Sequence, residues 1–147
     1  MRFSIWAFGI FVALAGFNAG NMTTLQLQHY AIYPFVGRES FVEYIRMNNR
    51  SAAIPSILPA MVLLLLSAVL VFDRPPFFSA AEAVVALSLN LIAFASTFRW
   101  QRRLQGEMAI SGYDAEKSRL LNQTNWIRTS VFLAQAVLAT SVLIRAL

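Results

Sequence analysis

His29 is the one histidine of the chain and the first place to look for chemistry. An imidazole nitrogen can ligate a haem iron or a chlorophyll magnesium, or act as a general base. Its neighbours Gln26, Gln28 and Tyr30 suit an ordinary hydrogen-bonding role better, and no second histidine completes a bis-histidine haem or a di-histidine metal site. Cysteine is absent, which removes thiol–disulfide exchange, iron–sulfur clusters, thiolate zinc and thioether haem attachment. What remains is amide, hydroxyl and guanidinium chemistry.

Asn18 and Asn21 lie in the first apolar stretch, Asn90 near the middle of the third and Gln135 in the last. Amides in lipid mostly bond across helices, at about 0.6–2 kcal/mol each. A sharper reading turns Asn18, Asn90 and Gln135 toward a small polar cavity that holds a ligand. Glu82 is an acid close to a span, where a charge is costly. Its place three residues after Ser79 is that of a capping-box glutamate, which accounts for it without proton transfer. The densest polar cluster runs from Asn122 to Thr129 and includes Asn125, Trp126 and Arg128. There Trp126 reads as an interface anchor, and Arg128 as a residue that snorkels or pairs with Glu43, Glu107 or Glu116.

The elements that must hold these residues follow from composition. Of 147 residues 58% are apolar and 13% charged, about half the charge of a soluble domain, so lipid has to cover the surface that polar side chains do not. The apolar runs are long and unalternating, which makes them helices. The reading is an all-α membrane protein, a bundle of four transmembrane helices over about 3–23, 52–72, 79–98 and 124–146. An amphipathic interface segment, 24–50, lies between the first two, and an extramembrane helical hairpin occupies 99–123. In the interface segment Pro34 and Gly37 predict an extended or turning piece and then a short helix, roughly 39–49. Pro55 and Pro59 threaten a kink in the second span and free carbonyls that need a partner. Ser111-Gly112 breaks the long third helix, and Asp114 caps the fourth, whose length of about 33 residues, roughly 50 Å, exceeds a ~30 Å hydrocarbon core.

The start, Met1-Arg2 before an apolar run, also resembles a signal peptide. Gly9, Ala13, Gly16 and Gly20 favour a permanent helix instead, since small residues at this spacing let helices pack closely in lipid. The net charge of +5 flanks the spans, which points to topology and anionic lipid and away from nucleic acid. Arg38, Arg46, Arg50, Arg99, Arg102, Arg103, Lys117, Arg119 and Arg128 fall on one side, against Arg2, Arg74 and Arg145 on the other. That bias predicts a bacterial inner-membrane protein with segments 24–51 and 99–128 in the cytoplasm and both termini in the periplasm.

Gln28-His29-Tyr30-Ala31-Ile32-Tyr33-Pro34, Val36-Gly37-Arg38, Phe41-x-x-Tyr44, Gly112-Tyr113-Asp114 and Thr124-Asn125-Trp126-Ile127-Arg128-Thr129 together resemble a family of uncharacterised bacterial four-helix membrane proteins. That family is distantly similar to the anthrone-oxygenase-like membrane group. The family pattern places histidines after the interface-helix tyrosine and after the third span, where this chain has Ile45, Asn48 and Gln105. The resemblance thus implies a retained scaffold with lost chemistry.

The function expected is a non-catalytic accessory subunit of a larger membrane complex, photosynthetic or respiratory, contacting lipid and other integral membrane subunits. A bound lipid, a quinone or a (bacterio)chlorophyll is the candidate cofactor, with His29 the candidate ligand. The alternative is an oxygenase-like membrane enzyme acting on a lipophilic aromatic or quinone-like substrate through Asn18, His29, Tyr30, Asn125 and Arg128. A small transporter or channel ranks third, because no buried acid–base pair marks an ion path.

Overall fold

A computed structural model describes residues 2–147, with the side chain of Arg2 excluded. The charged start Met1-Arg2, on which the signal-peptide alternative rests, therefore lies outside the described side chains. The described residues form five helices: α1 (Phe3–Phe35), α2 (Phe41–Ser51), α3 (Ala53–Phe72), α4 (Ala80–Ser111) and α5 (Ala115–Ala146). All but α2 are long and apolar enough to cross a membrane. The protein is an all-α, multi-pass membrane protein.

Local chemistry sets the helix ends. Ser79 and Glu82 form the capping box in full: the Glu82 amide donates to Ser79 Oγ at 3.3 Å and the Ser79 amide donates to Glu82 Oε2 at 2.9 Å. The Asp114 carboxylate accepts from the amides of Glu116 and Lys117 at 2.9 and 3.0 Å, starting α5. Between α4 and α5, Gly112 takes φ +86°, a left-handed conformation that a side chain would strain.

The two prolines are handled without a break. Ala53–Ile57 forms a wide π turn before the regular helix Leu58–Phe72. Pro59 lacks the N–H that would bond the carbonyl one turn back, at Pro55. Asn21 of α1 supplies that donor from Nδ2 at 2.9 Å and also donates to Ser56 Oγ at 3.1 Å.

The spanning helices alternate in direction around a ring, with α1 and α4 each packed between α3 and α5. Helix α3 has 20 residues, about 30 Å and one hydrocarbon thickness. Helices α1, α4 and α5 have 33, 32 and 32 residues, close to 50 Å each. Chain direction places their surplus turns on one side, where α2 joins them to form a cap.

The expected turning piece at 24–35 is instead the last part of α1, which passes through a π turn at Leu25–His29 and ends in a 3-10 turn at Tyr33–Phe35. Gln26, Tyr30 and Tyr33 recur every three or four residues and are buried, so tertiary packing holds this stretch helical up to the proline.

Two cores result. The bundle core joins Phe8, Phe11, Ala15 and Ala19 of α1 to Leu63 and Leu70 of α3, Ala83, Ala86 and Ala93 of α4, and Phe132, Ala139 and Val142 of α5. The cap core joins Tyr30, Tyr33, Phe41, Ile45, Leu104, Met108 and Leu121. Gly9, Ala13, Gly16 and Gly20 of α1 face outward from the bundle, and a Cβ built on any of the three glycines would meet nothing within 4 Å. Ala15 and Ala19, on the opposite face, make the close approach.

Candidate functional site at the bundle–cap junction

Buried polar side chains concentrate where bundle and cap meet. Gln26 of α1 donates from Nε2 to the Asn122 carbonyl at 3.1 Å and to the Asn122 side-chain oxygen, while its own Oε1 accepts from Asn125 Nδ2 at 3.0 Å. Asn125 also donates to Thr129 Oγ1 at 3.3 Å, and the Thr129 hydroxyl turns toward the carbonyls of Asn125 and Met22. On the α4 side Gln101 donates to Thr124 Oγ1 at 3.1 Å. Gln26 and Gln101 each sit in a π turn, whose extra residue re-aims the side chains that follow.

Arg128 occupies the edge of this network, half-buried. One Nη donates to Met22 Sδ at 3.1 Å, the guanidinium lies beside the Tyr30 hydroxyl, and Nε is buried without a partner. None of the three acids proposed as its partner pairs with it: Glu107 instead binds Arg103 and Lys117 at 3.4 and 3.0 Å, and Glu43 and Glu116 form no ion pair with Arg128.

His29 stands in a ring of tyrosines. Its Nε2 lies 3.4 Å from the Tyr33 hydroxyl and its Nδ1 3.5 Å from the Tyr44 hydroxyl, with the Tyr30 ring 5.4 Å away. Both nitrogens thus have a phenol partner, and a haem or chlorophyll metal would need one tyrosine to swing aside. The Tyr44 phenol, protonated at neutral pH like any tyrosine and pushed further above the ordinary phenol range by partial burial, can donate to the imidazole. Among the described residues no three His, Cys, Asp or Glu side chains are grouped to hold a metal.

The remaining sequence candidates separate. Asn90 is in mid-bundle, donating to Ser67 Oγ of α3 at 2.7 Å, and Gln135 of α5 reaches the same oxygen at 3.5 Å. Three helices are clasped there. Asn18 donates to the Leu14 carbonyl of its own helix at 2.9 Å. Trp126 is half exposed near the cap rim, and Gly16 and Gly20 are on the outer face of α1. Arg128 lies beside Tyr30 and Asn125 joins Gln26 and Thr129, whereas Asn18 and Asn90 belong to the bundle.

Ser67, Gln101 and Met22 were missed by sequence reasoning. The signal for Ser67 was available: Leu63, Ser67 and Leu70 share a helical face, so a polar residue there points inward. Of the positions where the resembling family has histidines, Ile45 is fully buried in the cap, Asn48 is half-buried, and Gln105 donates to the Tyr30 hydroxyl at 3.4 Å. Comparison with protein-family models, with curated proteins and with solved structures finds no match to this chain.

Proposed function

We propose that the protein is a non-catalytic integral membrane subunit of a larger bacterial complex, photosynthetic or respiratory, which it joins through the outer face of α1. The observation that carries this reading is that Gly9, Ala13, Gly16 and Gly20 form a smooth strip on the bundle exterior that the chain itself leaves uncovered. In lipid, helix association depends on close van der Waals contact, which small residues permit and lipid tails fill less well. The wide exposure of Trp6 and Phe17 on that helix supplies flanking contact area. In the same reading the cap is cytoplasmic: nine basic residues lie on its side, against Arg74 and Arg145 among the described side chains at the other end.

The test is extraction from native membranes in mild detergent, followed by native mass spectrometry and an absorption spectrum. A stable assembly with stoichiometric partners is expected, and Gly16→Leu with Gly20→Leu releases the chain from it while leaving the monomer folded. An assembly that survives the double substitution removes the α1 face as the docking site. A colourless 16.4 kDa monomer or small homo-oligomer overturns the subunit reading and turns attention to the oxygenase-like alternative, for which His29→Ala is the decisive variant. A cysteine replacing exposed Ser111 that labels only from the periplasm reverses the orientation.

A further inference from the structure

We infer that Arg128 binds the phosphodiester of an anionic membrane phospholipid at the junction of bundle and cap. The argument begins with charge accounting. Arg128 is a permanent cation with five N–H donors, yet the protein offers it a thioether sulfur and a neutral phenol, and no described carboxylate forms an ion pair with it. A half-buried guanidinium at the edge of hydrocarbon costs several kcal/mol unless an anion or water meets it.

Its depth identifies the anion. Helix α3, one hydrocarbon thickness long, begins at Ala53, and Asn21 ties the first turn of α3 to α1 one residue before Met22, the residue Arg128 touches. Arg128 is therefore at the level where acyl chains give way to headgroups. A guanidinium fork matches two phosphate oxygens, and an anionic lipid without an amine in its headgroup, such as phosphatidylglycerol, leaves no ammonium to compete for them. Arg99 and Arg102 differ in kind, since each is exposed and lies over its own helix's ring, Trp100 or Phe98, at 5.9 and 5.6 Å.

The experiment is native mass spectrometry and thermal melting of the purified protein in detergent, with added phosphatidylglycerol, phosphatidylcholine or inorganic phosphate. Wild type is expected to keep one phosphatidylglycerol through delipidation and to melt several degrees higher with it than with phosphatidylcholine. Arg128→Gln loses that bound lipid and that difference, while Arg102→Gln keeps both. If Arg128→Gln does not fold, the wild-type arms still decide. Equal effects of phosphatidylglycerol and phosphatidylcholine, a matching shift with inorganic phosphate alone, or full lipid retention by a folded Arg128→Gln each overturn the assignment.

Discussion

In the bundle, α4 turns Ala83, Ala86 and Ala93 to the centre, and polar contact across helices is confined to a few clasps such as Ser67 with Asn90 and Gln135. In the cap, large side chains dominate. Tyr33 stands nearly perpendicular to Tyr30, Phe41 and Tyr44 at 5.6, 5.6 and 5.9 Å, and Tyr113 closes on Phe41 at 5.2 Å. The solvents outside explain the contrast. Lipid gives no hydrophobic reward for bringing helices together, so the bundle relies on close approach and on polar groups with nowhere better to go. Water does reward burial, so the cap is built as a small soluble core with salt bridges such as Lys117–Glu107 on its surface.

Substitutions that act on one region and not the other test this difference. Phe41→Ala should have the largest effect, about 3–5 kcal/mol, because it empties the cap core. Trypsin should then cut the cap at Arg103 or Lys117 while the spanning helices stay protected, and simultaneous loss of both regions would show that they are one cooperative unit. Ser67→Ala removes the hydroxyl that accepts from Asn90 and Gln135, at an expected cost of about 1–2 kcal/mol. Its mark is faster hydrogen exchange in α3 and α4 with the cap unchanged.

Ser79→Ala at the outer loop should cost about 1 kcal/mol by deleting the α4 cap, read as fraying at Ala80–Glu82 only. Smallest is Lys117→Gln, which breaks a partly exposed ion pair and should shift unfolding by under ~1 kcal/mol, less still in high salt. A larger, salt-independent loss would mean that the cap depends on charge more than on its aromatic core.

Much of this is legible in the sequence. The long apolar runs, the Ser79–Glu82 box, the Asp114 cap and the Gly112 break are local signals, each carried within a few residues, and the structure has all of them. The last turns of α1 were not legible, since Pro34 and the aromatic mixture read equally as an interface segment. Only the burial of Gln26, Tyr30 and Tyr33 against α4 and α5 makes them helix. The inward face of α1 was not legible for a similar reason. Spacing put Gly9, Ala13, Gly16 and Gly20 on one face of α1, but Ala15 and Ala19 on the opposite face competed for the same close contact.

The sequence by itself determined that four helices cross a membrane, that the last two outrun it and that basic charge gathers at one end. Hydropathy, length and capping act within a segment and need no knowledge of neighbours. Which face of each helix turns inward, that His29 meets two tyrosines, and that Arg128 meets a thioether in place of an acid were decided only in tertiary structure. Those contacts join residues up to about a hundred positions apart, Met22 with Arg128 and Gln26 with Asn125 among them, and their register depends on how every helix packs at once.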